Sequence, residues 1–239
     1  MKIAQGIHRI GPGLINSYLV EEAGEITLID TGAPGYWNEL PKELSAMGRS
    51  LADVRAVVLT HAHIDHVGLA ERIRRERGVG VRVHELDAGL ARGEAKAKNQ
   101  KMLGISPIPL LRFIAFALAN GMLGATPIAE VATFGDGATL DVPGAPRVIH
   151  LPGHSEGSAA LHLAARDALF VGDAFCTLNV MSCATSPRLA PFGSDLPRAV
   201  ASLARLDHVE ARLVLPGHGQ PWTGGVAEAV RLVRQTAPH

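Results

Sequence analysis

The chain has 239 residues, close to the upper limit for one domain and enough to bury a large core. Its 23 Lys and Arg balance 23 Asp and Glu, so it lacks the basic excess that displaces counterions from a phosphate backbone, and no nucleic-acid partner is expected. Apolar residues at 47% and charged residues at 19% exclude intrinsic disorder, while histidine stands out with 11 copies against two Tyr, two Trp and two Cys.

No repeat and no Pro- or Ser-rich linker divides the chain, which predicts one domain over residues 1–239. Short β-branched or apolar runs predict strands at 17–20 and 26–29, before a helix over 37–47. A strand at 56–59 precedes a helix over 67–77, closed by Gly78 where a left-handed residue commonly ends helices, and a strand at 79–83 follows. Residues 88–129 read as a helical insertion, basic at first (Arg92, Lys96, Lys98, Lys101) and then apolar from Met102 to Leu123. Its stretch 113–129 is uncharged for 17 residues but is interrupted by Asn120, Gly121, Gly124 and Pro127. That falls short of the roughly 20 apolar residues a membrane span requires, so a buried helix is expected instead. Further strands are predicted at 148–151, 159–163, 168–171 and 213–215, with helices over 196–206 and 225–234. This mixture argues for an α+β fold in which helices sandwich the sheets.

Directly after the strand at 56–59 and Thr60 stands His61-Ala62-His63-Ile64-Asp65-His66. Residues two apart in an extended segment project to one side, so His61 and His63 point together, and the turn into the next helix swings Asp65 and His66 toward the same space. The pattern recurs three times, with strands at 148–151, 168–171 and 213–215 running into Gly or Pro-Gly and then into His154, Asp173 and His218. Glycine there permits tight turns and close backbone approach. Five imidazoles and two carboxylates exceed what one tetrahedral ion uses, which implies two divalent metal ions. Zinc is the first expectation, and iron or manganese is served by the same ligand types. A carboxylate can bridge such a pair with its two oxygens, and a hydroxide held between the ions is a nucleophile at neutral pH, with Asp65 placed to orient it.

Together, THAHIDH (60–66), LPGH (151–154), VGD (171–173) and LPGH (215–218) resemble the metallo-β-lactamase superfamily, in the family's order and over nearly the whole chain. The resemblance implies an αββα sandwich with the metals at one edge. It implies His61, His63 and His154 on the first metal, Asp65, His66 and His218 on the second, and Asp173 bridging both. A bridging Asp is similar to glyoxalase II-like thioesterases, lactonases and related hydrolases, whereas true β-lactamases typically carry Cys, Ser or His there, so antibiotic hydrolysis is not expected. His63 stands where flavodiiron-type redox members carry Glu. The chain departs from those hydrolases at Ser158, where thioesterases and lactonases often have His. Its two tyrosines, Tyr18 and Tyr36, precede the bridging Asp instead of following it as in quorum-signal lactonases. The pattern by which glyoxalase II holds glutathione is not matched.

The expected activity is metal-dependent hydrolysis of an ester, thioester or lactone with an apolar acyl or aryl part. Two alternatives stay open: phosphodiester hydrolysis at the same residues, and a non-catalytic metal-binding sensor or scaffold. The insertion reads either as a cap over the metals, with a cation for an anionic tail, or as a core or homodimer-forming helix. Thr177, Asn179 and Ser182 are candidates to meet a substrate carbonyl or to satisfy backbone groups. His84 and His150 are candidate partners of the metal ligands, and His8, His162, His208 and His239 have no special pattern. Cys176 and Cys183 are expected as buried thiols. With no signal-peptide core, a cytoplasmic location is expected.

Overall fold

The computed structural model describes residues 1–97 and 101–237. Lys98 and His239 lie outside the described residues. The first half lays down β1 (Lys2–Ala4), β2 (Ile7–Ile10), β3 (Ser17–Glu22), β4 (Glu25–Ile29), α1 (Leu40–Ala46), β5 (Val54–Val58), α2 (Ala70–Arg77) and β6 (Gly80–His84). The insertion supplies α3 (Ala88–Ala91), β7 (Lys101–Met102) and α4 (Pro107–Ala119), and β8 (Ala132–Phe134) follows it. The second half adds β9 (Arg147–His150), β10 (Ala159–Leu163), β11 (Ala168–Gly172), β12 (Cys176–Leu178), β13 (Thr185–Arg188) and β14 (Phe192–Gly193). It closes with α5 (Leu196–Ser202), β15 (Leu213–Pro216) and α6 (Val226–Thr236).

Two main sheets result, one of seven strands in the order β1-β2-β3-β4-β5-β6-β8 and one of four in the order β15-β11-β10-β9. Strand alternation splits their apolar residues between opposite faces. Tyr18, Val20, Ile29 and Val58 from the first sheet meet Leu161, Phe170 and Leu215 from the second in a shared middle layer. Leu19, Leu28 and Val57 face the other way, onto Leu40, Leu44 and Ile73 of α1 and α2. Ala160, Leu169 and Val171 face Leu203, Val230 and Val233 on the far side. The layering is therefore helix, sheet, sheet, helix, and each fully buried Leu, Val or Phe contributes about 1.5–3 kcal/mol.

Strand direction places the site. β4, β5 and β6 run parallel, while β9 and β11 both pair antiparallel to β10, and β15 runs parallel to β11. The carboxyl ends of these strands form one edge, where Ala159 donates its N–H to the Thr60 carbonyl at 2.9 Å and Asn16 donates to the Gly217 carbonyl at 2.8 Å.

Several elements differ from their sequence expectation. The predicted helix 37–47 is a 3-10 turn (Pro34–Asn38) followed by α1, because Pro41 lacks an N–H and fits only the first turn of an α-helix. α2 begins at Ala70 because Gly68 lies against the backbone of 32–34, where a Cβ would come within 2.3 Å of the Gly32 carbonyl oxygen. Gly78 does end α2, at φ 65°. The expected buried helix is a surface helix: α4 has no buried residue, with Phe113 and Phe116 packed on the core while Ile108 and Leu111 are 70% and 65% exposed. Among the described residues, no helix is long and apolar enough to cross a membrane.

Candidate metal centre

Four imidazoles of the cluster are oriented by what holds their remote nitrogen. His66 donates Nδ1–H to Asp30 Oδ2 at 2.9 Å, His154 donates Nδ1–H to the Phe192 carbonyl at 2.6 Å, and His218 donates to the Leu14 carbonyl. Thr60 gives its hydroxyl proton to Asp30 (2.7 Å) and accepts from His61 Nδ1–H (3.1 Å). These contacts fix the ring orientations, leaving Nε2 of His61, His66, His154 and His218 facing inward.

The inward atoms form three overlapping clusters, His61/His63/His154, His61/His66/Asp173 and Asp65/His66/His218, each with its ligand atoms within 4.8 Å of one another. Asp173 joins them: its Oδ2 lies 3.0 Å from His218 Nε2 and 3.6 Å from His154 Nε2, and its Oδ1 lies 3.6 Å from His66 Nε2. Gly217 is required for this approach, since a Cβ there would sit 2.2 Å from Asp173 Oδ1. Gly172, at φ 50°, turns β11 so that Asp173 faces the cluster, and a side chain there would strike Thr60.

The electrostatics of the site suit cations. Burial, reinforced by neighbouring imidazoles, holds His61 neutral and pushes His154 down to about 3. Burial also works against charge on His66, but Asp30, Asp65 and Asp173 outweigh it and raise its pKa to about 9. Burial is likewise overcome at His218, which Asp173 holds well above the ordinary imidazole value. The lone pairs of His61 Nε2 and His154 Nε2 face each other at 3.1 Å, and the buried Nε2 atoms of His63 and His66 and Oδ1 of Asp173 have no hydrogen-bond partner among the described residues. Converging lone pairs, orphaned acceptors and protonated imidazoles beside carboxylates are what a pair of divalent ions would resolve by displacing protons.

A cavity of about 450 Å³ opens on His63, Asp65, His154 and Asp173, with Leu90, Phe113, Met122 and Phe192 in its walls. The insertion thus supplies part of the roof. Of its basic residues, Arg92 pairs with Glu94 at 2.7 Å, and Lys96 lines a smaller pocket of about 120 Å³ that shares His63.

The seven residues singled out in the sequence all converge on this edge. Other candidates do not. Asn179 accepts from the N–H groups of Met181 and Ser182, the Ser182 hydroxyl accepts from Ala184 N–H, and Thr177 donates to the Gln220 carbonyl, so all three serve the backbone. His84 and His150 stack on each other at 4.2 Å instead of bonding a cluster imidazole. Cys176 is buried as expected, but Cys183 is exposed, lifted outward by a turn in which it has φ 58°.

A family model described as the metallo-beta-lactamase superfamily matches residues 10–218. The chain belongs to the metallo-β-lactamase superfamily. It is 25% identical over 238 residues to the probable metallo-hydrolase YflN of Bacillus subtilis (strain 168), covering 92% of this chain and 86% of that protein. Metallo-beta-lactamase family protein TTHA1429 from Thermus thermophilus shares the fold with a TM-score of 0.70 at 24% identity, over 98% of this chain and 80% of that one. The di-iron-bound form of TTHA1623 aligns with a TM-score of 0.61 at 27% identity, over 97% and 98% of the two chains. With this fold and its two-ion cluster the superfamily member is a metal-dependent hydrolase.

Two buried carboxylates of this superfamily fold escape a reading of the sequence. Asp30 follows β4 and precedes Gly32 by two residues, a strand-end signal akin to the one that marks Asp173. Asp87 lies three residues beyond β6, and nothing local distinguishes it from a surface Asp.

Proposed function

We propose that the chain is a dinuclear metallohydrolase of the bridging-Asp branch that cleaves an ester, thioester or lactone bearing an apolar acyl or aryl group. The observation that carries this reading is Asp173, whose two oxygens reach toward both sides of the imidazole cluster at the floor of a cavity with apolar walls. In this reading His61, His63 and His154 hold one ion, Asp65, His66 and His218 the other, and Asp173 is shared. Bound there, the ions would supply an activated water nucleophile at neutral pH and stabilisation of the developing oxyanion. Zinc is the proposed metal, and the di-iron form of TTHA1623 makes iron the comparison to run.

The protein's own groups do the rest. Leu90, Phe113 and Met122 take up the acyl group and exclude water from it. Asp65 places its carboxylate in the cavity wall, where it accepts a hydrogen bond from the attacking water and aims it. The apolar side chains in the cavity wall favour an acyl or aryl group over a charged phosphodiester.

The test combines metal analysis with a substrate panel. The expected result is about two metal ions per chain, with turnover of p-nitrophenyl acyl esters, thioesters or lactones well above that of bis-p-nitrophenyl phosphate. Activity lost to a chelator should return with zinc, iron or manganese. A chain that binds no metal, or that prefers the phosphodiester, overturns the reading.

A further inference from the structure

Asp87 is 2% exposed and touches none of the residues proposed as metal ligands through a hydrogen bond, yet both its oxygens accept from their loops. Its Oδ2 accepts from the Ala62 N–H at 3.0 Å and from the Ser155 hydroxyl at 2.7 Å, and its Oδ1 accepts from the Gly157 N–H at 2.7 Å. Ala62 is the residue between His61 and His63, and Ser155 directly follows His154. One carboxylate therefore clamps together the two loops that carry the His61/His63/His154 cluster, although they lie about ninety residues apart in the chain. The approach is tight: a Cβ on Gly157 would stand 2.8 Å from Asp87 Cγ.

Asp30, by contrast, acts on both sides, on His66 directly and on His61 through Thr60. It accepts from Thr60 N–H at 2.8 Å, from the Thr60 hydroxyl at 2.7 Å and directly from the His66 ring at 2.9 Å. No hydrogen bond connects Asp87 to Asp65, His66 or His218 among the described residues.

The geometry points to Asp87 as a positioning residue that sets the affinity of one ion of the pair, the one held by His61, His63 and His154, and leaves the other largely untouched. The inference rests on the ligand assignment proposed above. Its physical basis is preorganisation: three imidazoles from two loops bind an ion tightly only when the loops are already held at the correct spacing, and a neutral amide at position 87 would set an N–H₂ donor against the N–H and O–H donors it now receives.

The test is calorimetric titration of metal-free full-length protein with Zn²⁺, backed by metal analysis and by the visible spectrum of the Co²⁺ form. Wild type should show two binding events, and His63→Ala identifies the event that belongs to the first cluster. Asp87→Asn should weaken that event by about tenfold or more and the other by less than about threefold. Ser155→Ala, which removes a single donor and leaves the carboxylate in place, should weaken the same event more mildly and guards against a variant that fails to fold. Asp30→Asn, which touches His66 directly and His61 through Thr60, should weaken both events and so marks what an unselective loss looks like. Equal weakening of both events in Asp87→Asn and Ser155→Ala, as a general loss of stability would produce, overturns the inference, and so do two unaltered events. Two events in wild type with that result sink this inference alone, whereas no binding by wild type sinks the ligand assignment as well.

Discussion

Asp30 Oδ2 and His66 Nδ1 meet at 2.9 Å, with the imidazole fully buried and the carboxylate nearly so, and this contact decides which ring nitrogen of His66 faces the metal cluster. The same oxygen accepts from Thr60, whose hydroxyl accepts in turn from His61, so one carboxylate aligns two imidazoles. Asp30→Asn replaces an acceptor with an amide that can present a donor to the ring. The expected outcome is a fall of about 10- to 100-fold in metal affinity with a matching loss of kcat/KM, measured by competition with a chelating dye and by steady-state kinetics.

Asp173 connects the two halves of the cluster, so Asp173→Ala should remove metal and activity together. Metal analysis after dialysis should give fewer than two ions per chain, and hydrolysis should drop to the level of the chelated protein. Full activity with both ions retained would rule out its bridging role.

Phe113 reaches from α4 into the apolar cavity, while the helix presents its other face to solvent. Phe113→Ala enlarges the acyl pocket without touching the ligand set. KM for a hexanoyl ester should rise by about tenfold, while that for an acetyl ester should change less than about threefold, in keeping with the 1–3 kcal/mol typical of an apolar pocket contact. Equal effects on both esters would show that α4 does not select the acyl group.

Glu71 ties α2 to the end of the insertion: its Oε2 accepts from Arg74 Nε at 2.8 Å and from the Ala129 N–H at 3.1 Å. The Arg74 hydrogen bond is the main cause holding its carboxyl below the ordinary value of 4.5. A carboxylate whose folded pKa is depressed stabilises the fold above its unfolded value, and that stability is lost as pH falls through the folded value. Glu71→Gln should therefore lower the melting temperature by about 2–4 °C at pH 7, with the gap to wild type closing below about pH 4.5 in thermal melts. A pH-independent difference would assign the effect to packing.

Position along the chain explains which features are legible before folding. Apolar runs such as Leu28-Ile29 and Phe170-Val171 announce strands because the alternation that buries them is local. β2 is not announced in this way because His8 and Arg9 read as solvent-facing, whereas both are buried, His8 against Glu43 and Arg9 against Gln220. α4 is legible as an apolar helix but not as a surface one, because composition does not say which neighbour covers a face.

The proposed metal donors are legible in the sequence alone: His61, His63, Asp65 and His66 lie within six residues, and His154, Asp173 and His218 each follow a glycine at a strand end, so local backbone geometry already aims them at one edge. Tertiary structure decided what turns those donors into a site. Asp30 acts on a ring 36 residues away and Asp87 on a loop 70 residues away. The ring orientations, the spacing between loops and the apolar roof all come from contacts between distant segments, and such contacts exist only once the two sheets have packed face to face.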